Sequence, residues 1–160
     1  LKDYKNIKYF NFALSTKKED KKLFIDKNNM GNLSFYYEMV KRDKLGFMNS
    51  PNNYEIIKCE SIQKFFKNIK LKKNIIKIDT QGYDEIIFQE IPKSVLKKNQ
   101  ILIIEITPIN EKKINFSKYK QNLNFYKKFT DFDGNIYSKD QVIELSKKTK
   151  GKNIDLIFLK

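Results

Sequence analysis

At 160 residues the chain fits one domain with a core of ordinary size, and its formal net charge of +14 raises nucleic acid as a partner. Arg42 is the only arginine, however, and the lysines are spread along the whole chain; lysine offers a point charge where arginine offers the fork that reads phosphate and guanine. There is no histidine, which excludes imidazole metal sites and Ser–His or Cys–His nucleophile pairs within this chain and leaves Asp, Glu, Tyr or Lys as any base.

Tyr9 to Ser15 reads as a strand running into a small-residue turn, and Lys22 to Asp26 as a second short strand and its hairpin partner. Asn28 to Pro51 is polar and irregular, with pieces such as Phe35 to Val40 that settle into no single period; a loop of that length is a functional suspect. Tyr54 to Cys59 is a strand. Ser61 caps a helix with Ile62, Phe65, Phe66 and Ile69 at i, i+3, i+4 and i+7. Asn74 to Asp79 is an apolar strand ending on a carboxylate. Thr80, Gln81 and Gly82 form a tight connection, and a helix follows with Tyr83, Ile86, Ile87 and Ile91 on one face, Asp84 and Glu85 in its first turn, and Pro92 at its end.

Gln100 to Thr107 is a near-continuous apolar strand, expected to be covered on both faces. Phe116 to Lys128 is an amphipathic helix. Asp133-Gly134 signals a hairpin between Phe129–Phe132 and Asn135–Tyr137. Ser138 and Gln141 make a capping box for the next helix, Gly151 stops it, and Ile154 to Leu159 is a last buried strand. Buried strands alternating with helices predict an α/β fold, a mostly parallel sheet with helices on both faces, as one domain over residues 1–160.

The chemistry gathers at the carboxyl ends of the strands, where open α/β sheets bind their ligands. Asp79 ends one strand beside Gln81, a donor and acceptor, and Gly82, which lets a backbone approach closely; the plain alternative is an Asp that caps its turn. Glu105 ends the next strand, so adjacent parallel strands bring both acids to one edge. Asn11, Ala13 and Ser15 close the first strand at that edge. Lys77, inside a buried strand, is expected to snorkel or to pair with an acid, and Cys59 to sit in the core. Gly31, Gly46, Gly82, Gly134 and Gly151 are too far apart for a phosphate loop. A lone cysteine allows no intrachain disulfide, no cysteine-rich zinc site and therefore no metal is expected, and a reducing cytoplasm suits it. No apolar run approaches the ~20 residues that span a membrane.

Lys77-Ile78-Asp79-Thr80-Gln81-Gly82-Tyr83-Asp84 resembles the K-I-D-x-[EQ]-G-x-E run of the FkbM family of S-adenosylmethionine-dependent methyltransferases, with Asp in place of the final Glu. Asn11-Phe12-Ala13-Leu14-Ser15 followed by Leu23-Phe24-Ile25 is similar to the family's N-x-A-L turn and hairpin, Ile103-Ile104-Glu105 to its I-E strand, and Asp155-Leu156-Ile157-Phe158 to its closing strand. The resemblance implies a Rossmann-like class I methyltransferase fold lacking its first two strands, those that carry the glycine loop and the ribose-binding acid. The chain, which starts on Leu1, then reads as the C-terminal fragment of such a domain.

The implied reaction is methyl transfer from S-adenosyl-L-methionine to a hydroxyl of a sugar or other small metabolite. In that reading Asp79 is the catalytic carboxylate, as base or orienter, and Glu105 lies on the substrate side. Gln81 and Gly82 shape the cofactor wall near the methyl, and Ala13, Leu14 and Ser15 lie near the adenine. A lysine-rich nucleic-acid-binding domain and a non-catalytic methyltransferase remnant are the alternatives.

Overall fold

The computed structural model describes residues 7–26, 29, 32–41, 48–69, 71–109 and 113–160. Arg42, Gly31, Gly46 and part of the expected loop Asn28 to Pro51 fall outside the described residues.

The first half builds a four-stranded sheet from β1 (Ala13–Ser15), β2 (Glu19–Ile25), β3 (Leu33–Ser34) and β4 (Tyr54–Ser61), in the order β1-β4-β2-β3. The expected hairpin between the first two strands does not form: β1 runs parallel to β4, and β2 pairs antiparallel to β4 and to β3. An eight-residue strand offers β2 a far longer ladder than three-residue β1 can. β1 is shorter than the Tyr9–Ser15 run because Phe10 and Phe12 pack edge-on against Phe65 instead of pairing, with centroids 5.2 and 5.9 Å away. The loop between β2 and β4 holds more order than its composition announces, namely β3 and the one-turn helix α1 (Tyr37–Val40).

Helix α2 (Ile62–Lys67) starts on Ser61, whose side chain accepts from the Lys64 amide. The second half forms a five-stranded sheet in the order β5-β6-β9-β7-β8, from β5 (Asn74–Ile78), β6 (Asn99–Ile106), β7 (Lys128–Thr130), β8 (Ile136–Tyr137) and β9 (Ile154–Leu159). Between them lie α3 (Asp84–Glu90), α4 (Lys93–Leu96), α5 (Phe116–Leu123) and α6 (Lys139–Lys147). The capping box of α6 forms as its sequence requires. Helix α5 stops at Leu123, short of the expected Lys128, because the Lys127 amide turns to the Leu159 carbonyl, 2.8 Å away, and the chain enters β7.

β5 and β6 are adjacent and parallel, with Ile78 opposite Ile104. β9 lies in the same sheet but runs antiparallel to β6 and β7. Both sheets are therefore mixed, where a mostly parallel one was expected. The apolar run of β9 reports that the strand is central, and centrality says nothing about direction. Coverage is also one-sided. Leu102, Ile104, Leu156 and Phe158 on one face are fully buried beneath α3 and α5, where Phe88 packs its ring against Phe158 and Tyr119. On the other face Ile101, Ile103 and Ile157 are half-buried and Ile75 is 65% exposed. Cys59 sits in the interior, as expected.

Candidate functional site

The link between β5 and α3 is a five-residue turn, 79–83, that the sequence cannot close in ordinary backbone space. Gln81 has φ +48 and Gly82 φ +94. Glycine meets that demand without strain, whereas a left-handed glutamine is uncommon and costs on the order of 1–2 kcal/mol. The turn is held from three sides. The Asp84 carboxylate accepts from the Thr80 amide at 3.2 Å, the Thr80 hydroxyl at 3.1 Å and the Gly82 amide at 3.1 Å. The Ser34 hydroxyl donates to the Gln81 carbonyl at 2.7 Å. Met39 and Ile109 crowd Gly82, so a Cβ there would meet Met39 Cγ at 3.2 Å and Ile109 Cδ1 at 3.3 Å. Gly82 is thus approached closely by this chain's own side chains, one of which, Met39, comes from the segment read as an irregular loop.

Asp84 is fully buried. Burial pushes its carboxyl up to about 6; the hydrogen bonds from Thr80 and Gly82 act against this, and the charge of Glu105 adds to it. Asp79 is the opposite kind of acid. It follows β5 directly, is half-exposed, and pairs with the Lys77 ammonium at 2.5 Å, as Lys77 was expected to do. That partner raises the Lys77 ammonium above its ordinary value. Glu105, half-buried, accepts from Asn153 at 3.0 Å and from Thr107 at 3.0 Å. The β5–β6 register brings Asp79 and Glu105 to the same end of neighbouring strands, as their positions in the sequence required.

The residues of the first strand divide. Ala13 and Leu14 line a cleft of about 400 Å³ with Phe35, Thr80, Tyr83 and Ile87. Ser15 is buried and turned into a polar cluster: its hydroxyl donates to Glu19 at 2.6 Å and lies 3.2 Å from the Tyr83 hydroxyl. The Lys21 ammonium also reaches that hydroxyl at 3.2 Å and stands 4.5 Å from the centroid of the Phe35 ring. A second groove, of about 510 Å³, runs along the outer edge of β5 and is lined by Leu14, Phe66, Ile76, Ile78, Asp79 and Thr80. Leu14 and Thr80 line both spaces. A further groove, of about 900 Å³ between Phe10, Phe12, Phe65 and Lys64, holds none of the candidate residues.

Sequence reasoning placed Asp84 in the first helical turn and gave it only the helix dipole. Its buried role over the turn was missed, as were Ser34 and Lys21. One signal was available for Asp84, an acid two residues beyond a glycine and two ahead of the apolar stretch Ile86–Phe88. Among the described residues no group of three His, Cys, Asp or Glu is arranged to hold a metal ion, and no helix is long and apolar enough to cross a membrane.

Residues 1–148 match the Methyltransferase FkbM domain. No curated protein and no solved structure matches the chain.

Proposed function

Since the chain belongs to the FkbM methyltransferase domain family and is a methyltransferase, we propose that it serves S-adenosylmethionine-dependent transfer to a hydroxyl of a sugar or other small metabolite. The observation that carries the reading is the meeting of the K-I-D-T-Q-G-Y-D run with a sheet edge. Asp79 stands half-exposed at the carboxyl end of β5, on a groove, with Glu105 on the next strand.

Transfer to a hydroxyl needs the acceptor oxygen aligned, its proton removed and water kept out. Asp79 has the exposure to meet an acceptor and the charge to take its proton. Lys77, bonded to the same carboxylate, holds it in place. Glu105 offers a second carboxylate for another hydroxyl of the acceptor. The cleft beside Ala13 and Leu14 is apolar and aromatic, which fits the flat adenine of the donor. The five glycines stand too far apart to form a loop for the donor's methionine end, so the residues here fit its adenine half. When bound, the donor supplies an electrophilic sulfonium methyl.

Two further strands, as a class I methyltransferase carries, are part of this proposal. What supports them is that β1 pairs only with β4 and β5 only with β6 among the described residues, while both free edges border the groove at Leu14.

The test is Asp79→Asn in methyl-transfer-competent protein, with radiolabelled donor and a panel of sugar and small hydroxyl acceptors. A base at this position is worth roughly 10²–10⁴-fold in rate, and a loss of that size beside an unchanged melting curve is expected. A smaller loss, near 10-fold, assigns Asp79 to orientation, because Asn keeps an acceptor oxygen. Full activity in Asp79→Asn removes the residue from the chemistry.

A further inference from the structure

We propose that Asp84 is the positioning residue of this site: its buried carboxylate, by gathering the Thr80 and Gly82 donors, fixes the strained turn that presents Asp79 and Gln81. The inference rests on the functional reading above for what the turn presents, and on geometry alone for how the turn is held.

Three donors converge on one carboxylate, and two of them are backbone amides on either side of Gln81. Oδ1 receives the Thr80 amide, while Oδ2 receives the Thr80 hydroxyl and the Gly82 amide. Both oxygens are therefore needed as acceptors, a demand only the ionised acid meets in full. Yet the ionised form is the one that burial disfavours at this position, which has no exposed surface. Two further charges bear on it, Glu105 from β6, which opposes ionisation, and Lys77 from β5, whose ammonium the Asp84 charge helps to hold protonated. A charge kept where it is disfavoured, across a turn with a left-handed glutamine, is a combination that marks functional sites more than plain packing.

Asparagine is the informative replacement. Whichever way its amide points, the NH₂ group faces either the Thr80 amide or the Gly82 amide, donor against donor. Gln81 should then leave φ +48, carrying Asp79 and its Lys77 partner with it.

The experiment is a pH titration of the ¹⁵N-labelled chain followed by backbone amide resonances, in wild type, Asp84→Asn and Thr80→Val. In wild type, the Thr80 and Gly82 amides are expected to titrate together with a midpoint near 6, with Gln81 and Asp79 following. In Asp84→Asn that transition disappears, and the Gln81 and Asp79 resonances sit apart from their wild-type positions at neutral pH. Thr80→Val removes one donor and leaves the carboxylate, so it covers the case in which the asparagine variant does not fold; its Gly82 amide should titrate at a displaced midpoint. Wild-type amides of Thr80 and Gly82 that ignore this titration, or Asp79 and Gln81 resonances unmoved by Asp84→Asn, overturn the proposal. In methyl transfer, Asp84→Asn should lose on the order of 10²-fold in kcat, as small misplacements do, with KM for the donor little changed. Expected resonances beside no methyl transfer by a chain extended upstream that binds the donor would sink the functional reading and leave the hold on the turn standing.

Discussion

Asp84 and Asp79 are separated by four positions and by almost everything that decides what an acid does. One is buried beneath three donors, the other half-exposed beside a lysine. The folded chain binds the Asp84 proton more tightly than the unfolded chain, where its value is the ordinary 3.8 against about 6 in the fold. Below 3.8 both states hold the proton. Between the two values the unfolded state has released it and the folded state has not, so stability falls as pH rises through that window and is lowest above it. At about 1.36 kcal/mol per pH unit, the full effect is on the order of 3 kcal/mol. Chemical denaturation of wild type and Asp84→Asn between pH 4 and 7 should show wild-type stability declining relative to the variant. A wild type that gains on the variant over that range would contradict a destabilising buried charge.

At the scale of elements, the β5–α3 turn and the caps of the helices are where local sequence and structure agree most closely. Gly82 and Gly134 provide an internal comparison, since both hold positive φ, at +94 and +89. A methyl added at Gly134 meets open space, whereas at Gly82 it meets Met39 and Ile109. Alanine at Gly134 should therefore cost about 1 kcal/mol for the backbone alone. Alanine at Gly82 should cost more, up to about 3 kcal/mol with crowding added. Ser138→Ala removes the side-chain arm of the α6 capping box, leaves its backbone arm, and should cost about 1 kcal/mol. Equilibrium unfolding of the three variants orders them, and equal losses at the two glycines would mean that Met39 and Ile109 move aside freely.

At the scale of the molecule, the edges of β1 and β5, open among the described residues, and the exposed Ile75 bear on cofactor binding. The apolar cleft beside Ala13 and Leu14 suits the adenine half of the proposed donor, and the five glycines stand too far apart for a glycine loop at its charged half. Calorimetry with S-adenosylmethionine should accordingly give weak or no binding by these 160 residues. It should give tighter binding by a chain extended upstream with a strand and a glycine-rich turn. Tight binding by the shorter chain would place the methionine end of the donor somewhere other than the sheet edge argued for here.

Several elements were legible because their signals are local. The Ser138 capping box, the Asp133-Gly134 hairpin, the stop at Pro92 and the apolar strands β5, β6 and β9 depend on neighbours a few positions away, and each stands where its residues put it. The pairing of Asp79 with Lys77 is of the same kind, two residues apart at the end of one strand. The run from Lys77 to Asp84 also sufficed to point to the family. Direction and partnership were not legible. An apolar strand has the same period whether it runs parallel or antiparallel, so β9 hid its reversal, and the partner of β2 was fixed by ladder length across some thirty intervening residues. The role of Asp84 was hidden for a related reason. The sequence shows an acid at the start of a helix, but whether water or three donors surround it depends on Ser34, Met39 and Ile109 closing over the turn from distant parts of the chain. Sequence alone determined the local elements and the chemical vocabulary of the site; tertiary packing decided which of its acids is dry, because desolvation is a property of everything that surrounds a group.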